Sequence, residues 1–181
     1  MKERFLNIGG HSIYVADSER GEQSVVLLHG YLESLRVWDD FVGLLTDKVR
    51  VVAIDIPGHG RSSNIAPVHT MELMAEVVKG VLDELQIDSA TLVGHSMGGY
   101  VSLAMLDKYA QHLDSIILLS STTSADSQEK CDRRRREIEL IKAGKKNTLA
   151  RLVPHQGFAP ENVKRLKDYI EDLSELILIT E

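Results

Sequence analysis

Apolar positions in this chain cluster into short unbroken runs, and amphipathic stretches separate the runs. Ser24-Val25-Val26-Leu27-Leu28, Val51-Val52-Ala53-Ile54, Ala90-Thr91-Leu92-Val93 and Ile116-Ile117-Leu118-Leu119 are apolar and rich in β-branched side chains. That pattern predicts strands buried on both faces. Between them, Trp38, Phe41, Val42, Leu44 and Leu45 recur at helical spacing, with Ser34 placed as an N-cap. Thr70 is placed to cap a second helix with Met71, Met74, Val77, Val78, Val81, Leu82 and Leu85 on its apolar face. Residues 100–106 read as a third helix, buried. Ahead of all this, residues 5–8, Gly9-Gly10 and residues 11–16 read as a β-hairpin, and Gly21 marks a turn. Strands alternating with helices predict an α/β fold: a mostly parallel sheet with helices on both faces.

The pattern changes after Ser120. Residues 120–124 are a polar loop, and from about Asp126 to Leu173 the chain is charged and helical. Val163, Leu166, Tyr169, Ile170 and Leu173 share one helical face there. The predicted division is an α/β core over residues 1–121 and a helical cap or lid over residues 122–181. Residues 177–180 read as the end of that cap or as a patch on the sheet edge. The run Arg133-Arg134-Arg135-Arg136 is interleaved with Glu129, Asp132, Glu137 and Glu139, which reads as a solvated helix face.

Composition narrows the partners. The 181 residues suit one domain with room for an inserted subdomain, and 43% hydrophobic with 27% charged residues is ordinary for a soluble globule. A net charge of −6 disfavours nucleic acid and anionic membrane surfaces. Cys131 is the single cysteine, so no internal disulfide and no cysteine-built metal site is expected, in keeping with a reducing compartment. No apolar run reaches the length of a membrane span, and the first residues do not read as a secretory signal. The expected location is cytoplasmic, without metal or organic cofactor.

The chemistry converges on Gly94-His95-Ser96-Met97-Gly98-Gly99. A serine at a strand-to-helix turn, with glycines two positions before and two after, has the form of a nucleophile elbow. The sharp turn exposes the serine Oγ, and the strand and helix then pass too closely for side chains at Gly94 and Gly98. The Met97 amide opens the helix and can face developing negative charge. In a parallel sheet the C-terminal ends of the strands share one edge, where ligands bind. His29-Gly30-Tyr31 and residues 55–62 leave that edge too, so the amides of Tyr31 and Met97 are expected to hold an oxyanion. One such donor is worth about 3 kcal/mol in the transition state. His29, Gly30 and His95 are expected to line the site, with His29 bracing loops and His95 pointing to the strand's other face. His11, His69 and His112 read as surface or packing residues.

Three segments together resemble the α/β-hydrolase family of small esterases, lactonases and perhydrolases: His29-Gly30-Tyr31, Asp55-Ile56-Pro57-Gly58-His59-Gly60-Arg61-Ser62 and Gly94-His95-Ser96-Met97-Gly98-Gly99. The resemblance runs from the first hairpin to Leu119, and the segment after Ser120 resembles an inserted cap. It implies Ser96 as nucleophile, Tyr31 and Met97 as oxyanion hole, and Asp55 and His59 as architectural ties. It also implies a catalytic acid and histidine on strands after the cap, beyond residue 181, so the chain reads as truncated and its sheet as unfinished. His112 precedes residues 116–119, which sets it more than ~15 Å from Ser96 across a strand. His155 partnered by Asp126, both on cap loops, is the improvised alternative.

The expected function is hydrolysis of a small ester, lactone or thioester through an acyl-enzyme on Ser96. Alternatives are a C–C bond hydrolase or perhydrolase of the same fold, and a non-catalytic small-ligand-binding or oligomerising protein. The partner is a small ester-like molecule, with a homodimer through the unfinished edge as a further expectation. The 181-residue chain alone is expected to turn over little.

Overall fold

The computed structural model describes residues 1–45 and 47–179. They fall into two compact units, Met1–Thr123 and a second from Ser124 onward.

The first unit holds six strands: β1 Lys2–Ile8, β2 His11–Asp17, β3 Ser24–Leu28, β4 Arg50–Ile54, β5 Ala90–His95 and β6 Leu113–Leu119. They form one sheet in the order β1-β2-β4-β3-β5-β6. β1 and β2 are the antiparallel hairpin, β2 is antiparallel to β4, and the remaining pairings are parallel. The sheet is therefore mostly parallel, as the apolar runs imply. In parallel strands every C-terminus faces the same edge, which brings the residues after Leu28, Ile54 and His95 together.

Each face carries its own core. α2 (Met71–Glu84) and α3 (Met97–Tyr109) cover one face, where Met74, Val78, Val81, Leu82, Val101 and Met105 pack on Val26, Leu28, Ile54 and Leu92. Thr70 caps α2 as expected, its Oγ1 accepting the Leu73 N–H at 3.2 Å. On the other face Leu35, Trp38 and Val42 cover Tyr14, Leu27, Val51, Ala53 and Val93. The single helix expected there is instead a 3-10 turn, Leu35–Trp38, followed by the short α1, Asp39–Val42. The Ser34 hydroxyl caps the 3-10 turn by accepting the Arg36 N–H at 3.3 Å.

That short cover has a visible consequence. The apolar run of β6 calls for cover on both faces, but a helix over residues 36–45 is expected to cover only part of one face and to leave an apolar patch, and Ile117 is 52% exposed and Leu119 44% exposed. Ile117 is registered with Val93 and Leu119 with His95, so the exposed side chains lie on the face that α1 leaves uncovered beyond β5.

The second unit is helical throughout its regular elements: α4 Gln128–Lys142, α5 Lys146–Gln156, α6 Pro160–Val163 and α7 Lys167–Ile179. Leu149, Ala150, Ile170 and Ile177 are its buried apolar side chains. Two expectations are decided here. Of the two alternatives for residues 177–180, the end of the cap is met and the added strand is not: residues 177–179 end α7 and form no strand, and Thr180 lies outside the described residues. His155 sits within α5, not on a loop, and Asp126 is engaged by Arg134, whose Nε lies 2.6 Å from Asp126 Oδ2. Among the described residues no helix is long and apolar enough to cross a membrane.

Candidate active site

Ser96 stands between the last residue of β5 and the first of α3. Its backbone is at φ 48°, ψ −109°, in the positive-φ half that a side chain resists. Two close approaches explain why the turn is so tight. A Cβ at Gly94 would lie 2.4 Å from the Gly98 carbonyl oxygen, and one at Gly98 would lie 2.3 Å from the Leu28 carbonyl oxygen. Strand β5, helix α3 and strand β3 thus meet backbone to backbone.

The strained serine is held at both its backbone groups. Its N–H donates to the Leu119 carbonyl at 3.0 Å, and its carbonyl accepts the Ser121 hydroxyl at 2.8 Å. Both partners come from the end of β6, where Ser120 itself adopts φ 47°. Met97 is the first residue of α3, so its N–H is among those with no acceptor inside the helix. Tyr31 follows the buried Gly30 at the end of β3, half-buried, with its ring edge toward His59 at 6.4 Å between centroids.

The histidines sort themselves by burial. His29 is fully buried and lines no open site. Its Nε2 accepts the Ile56 N–H at 2.9 Å, and its Nδ1 lies 2.8 Å from the Gly30 carbonyl oxygen. That pair of contacts makes Nδ1 the protonated nitrogen. Burial, with His59 nearby, pulls its pKa down to about 3. His59 is also buried and held below its ordinary value by desolvation, with Nδ1 3.2 Å from the Pro57 carbonyl oxygen. His69 Nε2 accepts the amides of Ile65 and Ala66, and His112 Nδ1 contacts the Asp88 carbonyl. His112 precedes β6 and so lies at the N-terminal edge of the parallel strands, away from Ser96.

Asp55 ties the edge loops together. One carboxylate oxygen accepts the Leu35 N–H at 2.7 Å and the other the Arg61 N–H at 2.8 Å. Ser62 completes the tie, donating to the Asp55 carbonyl and accepting the Tyr14 N–H. Burial raises the Asp55 pKa even though two amides favour its charged form.

His95 lies two residues past Val93, on the α1 face of β5, as strand alternation requires. Its partner went unread in the sequence. Glu33 Oε2 is 2.9 Å from His95 Nδ1 and accepts the Gly30 N–H at 2.6 Å. The carboxylate raises the His95 pKa above 6.5. The only available sequence signal was the three-residue step from Gly30 to Glu33, the spacing at which a side chain can reach back to an amide.

The chain is 33% identical over 121 residues to "Uncharacterized hydrolase YugF" of Bacillus subtilis (strain 168), covering 66% of this chain and 44% of that protein. It is 34% identical over 134 residues to the 2-hydroxy-6-oxononadienedioate/2-hydroxy-6-oxononatrienedioate hydrolase of Paraburkholderia phymatum (strain DSM 17167 / CIP 108236 / LMG 21445 / STM815), covering 69% of this chain and 46% of that protein. The chain therefore spans less than half the length of these curated relatives. Its fold matches a thermophilic esterase from Thermogutta terrifontis, solved with malate bound, at a TM-score of 0.85 and 28% identity, over 99% of this chain and 68% of the esterase. The family model described as alpha/beta hydrolase fold matches residues 23–139, and the chain belongs to that family.

Proposed function

We propose that this chain carries the nucleophile and oxyanion-binding part of a serine hydrolase that acts on small esters, lactones or thioesters. The observation that carries the reading is the backbone of Ser96: a non-glycine residue at φ 48° between a strand and a helix, flanked by glycines that admit no Cβ. Strain of this kind costs about 1–3 kcal/mol and is kept where it aims a side chain. The esterase among the structural relatives supports the same substrate class.

In this mechanism Ser96 Oγ attacks the substrate carbonyl carbon and its proton passes to a general base. The carbonyl oxygen becomes an oxyanion, held by the Met97 N–H and the Tyr31 N–H. The C–O or C–S bond to the leaving group then breaks as that group takes the proton. Water hydrolyses the resulting acyl-serine and regenerates the hydroxyl. His29 has both ring nitrogens engaged, His59 is buried, His69 Nε2 accepts two amides and His112 stands at the opposite edge of the sheet, so none of these four is read as the base. The base is read as lying in the length of the relatives that this chain does not span.

A second reading is favoured by the Paraburkholderia relative. Its substrate is an oxo-acid with no ester link, so hydrolysis must sever a carbon–carbon bond next to a carbonyl. The same serine and oxyanion donors serve that reaction.

Fluorophosphonate labelling of the 181-residue polypeptide tests the proposal. Slow covalent label on Ser96, driven by the oxyanion donors without a base yet faster than on any other serine of the chain, absent in Ser96→Ala and slowed further by a short-chain ester or lactone, is expected. Competition by a 2-hydroxy-6-oxo dienoate but not by esters would favour the second reading. Ligand binding without any label on Ser96 would make the chain a binding protein and overturn both.

A further inference from the structure

The loop after β3 and the turn after β5 are joined through one carboxylate oxygen. Glu33 Oε2 accepts the Gly30 N–H at 2.6 Å and stands 2.9 Å from His95 Nδ1. The Glu33 N–H donates in turn to the Gly30 carbonyl at 3.3 Å, so residues 30 and 33 hold each other in both directions. Two local features exist to permit this. Leu32 adopts φ 60°, a left-handed conformation that costs a leucine roughly 1–2 kcal/mol. At Gly30 a Cβ would lie 2.9 Å from Glu33 Oε2 and 3.0 Å from His95 Nδ1. The Glu33 and His95 side chains are 24% and 29% exposed, sheltered enough for their attraction to survive screening. Neither belongs to an apolar core. The other titratable rings coupled to this pair, His29 and His59, are buried and held below their ordinary pKa, whereas the hydrogen bond to Glu33 raises that of His95.

We infer that Glu33 is a positioning residue whose carboxylate clamps the Gly30–Tyr31 loop to the His95–Ser96 turn. The clamp sets where residue 31 stands relative to Ser96 Oγ, and a donor misplaced by about 1 Å costs on the order of 100-fold in rate. This rests on the serine-hydrolase reading.

The test uses the full chain with Glu33→Ala and Glu33→Gln, and two independent readouts. The first is the imidazole pKa of His95, followed by NMR with amide exchange at Gly30. The second is the fluorophosphonate labelling rate of Ser96. Glu33→Ala is expected to return the His95 pKa toward 6.5, to speed Gly30 exchange, and to slow labelling roughly 10- to 100-fold. Glu33→Gln retains an acceptor for the Gly30 N–H, so it is expected to recover part of the labelling rate without restoring the His95 pKa. It also stands in if the alanine variant does not fold. Labelling within twofold of wild type, or an unchanged His95 pKa, overturns the clamp. If wild-type labelling survives Ser96→Ala, the hydrolase reading fails instead. The His95 pKa and Gly30 exchange then decide whether the loops are clamped.

Discussion

Substituting Gly98 by alanine sets two opposed effects against each other, and the structure says which prevails. Alanine favours a helix interior over glycine by about 1 kcal/mol, partly by restricting the unfolded chain. Position 98 lies in the first turn of α3, so that gain is available. The added Cβ, however, would lie 2.3 Å from the Leu28 carbonyl oxygen, 2.7 Å from the Leu28 carbonyl carbon and 2.9 Å from the His29 carbonyl oxygen. Ordinary C···O contacts run about 3.3–3.6 Å, so β3 and α3 must part by about 1 Å. Every atom met is backbone, so no side chain can swing away, and the overpacking cost sits at the upper end of its range, about 3 kcal/mol. The balance is a loss of about 2 kcal/mol, or roughly 4–8 °C in melting temperature for a chain of this size. Gly43→Ala is the matched control. It has φ −57° and nothing within 4 Å of an added Cβ, so a gain of about 0.5 kcal/mol is expected. Thermal and urea denaturation followed by circular dichroism measures both. Gly98→Ala melting at or above Gly43→Ala would show that strand and helix are not in contact at this point.

Three further outcomes follow from the same coordinates. Asp17 is fully buried and meets Arg50 Nη2 at 2.7 Å and Arg4 Nη2 at 3.0 Å, so Asp17→Asn is expected to lose about 3 kcal/mol in urea denaturation at pH 7. Burial alone would raise the Asp17 pKa, but the Arg50 hydrogen bond and the Glu19 amide win and lower it, so this contribution is present above about pH 4 and is lost as pH falls through the folded pKa. His29 acts at milder acidity. Its folded pKa of about 3 lies below the ordinary 6.5, so the unfolded chain binds the extra proton and stability falls by about 1.4 kcal/mol per pH unit as pH drops below 6.5; a urea midpoint unchanged between pH 6.5 and pH 5 would contradict it. Ser121→Ala removes the side-chain donor to the Ser96 carbonyl, leaving the Gly99 N–H at 3.1 Å, and is expected to cost about 1 kcal/mol of stability while slowing Ser96 labelling roughly tenfold; labelling at the wild-type rate would show that Leu119 and Gly99 hold the turn without it.

The parts of the fold legible beforehand are those where burial dictates residue type. β3 and β4 bury both faces against helices, which leaves room only for Val, Leu, Ile and Ala, and the runs announce themselves. Thr70 and the apolar stripe of α2 are legible for the related reason that a cap and a 3.6-residue period each leave a local mark. The break between the 3-10 turn and α1 leaves no such mark. Trp38, Phe41 and Val42 keep helical spacing across it, and the tie from the Leu35 N–H to Asp55, twenty residues away, leaves no local mark either. Exposure of Ile117 and Leu119 depends on how far α1 reaches, and the few residues available for that helix already point to partial cover.

The site divides along a similar line. The turn at Ser96 is written in adjacent residues, because backbone crowding forbids a side chain at Gly94, against Gly98, and at Gly98, against the end of β3. The supports of that turn are not written there. Ser121 reaches Ser96 from the end of the neighbouring strand, and Glu33 reaches His95 across sixty-two residues of sequence. A serine among core glycines is a pattern of exclusion, which one sequence displays directly. A carboxylate that closes two loops is a pattern of encounter, which exists only once β3 and β5 lie side by side. The strain at Ser96, Leu32 and Ser120 connects the two kinds of information. Ser96 is held by hydrogen bonds from the end of β6, while Leu32 precedes Glu33 and Ser120 stands between Leu119 and Ser121, the residues that make the ties. The placement of Ser96 is therefore a property of the C-terminal sheet edge as a whole. Weakening Glu33 or Ser121 should loosen Ser96 without unfolding the sheet beneath it.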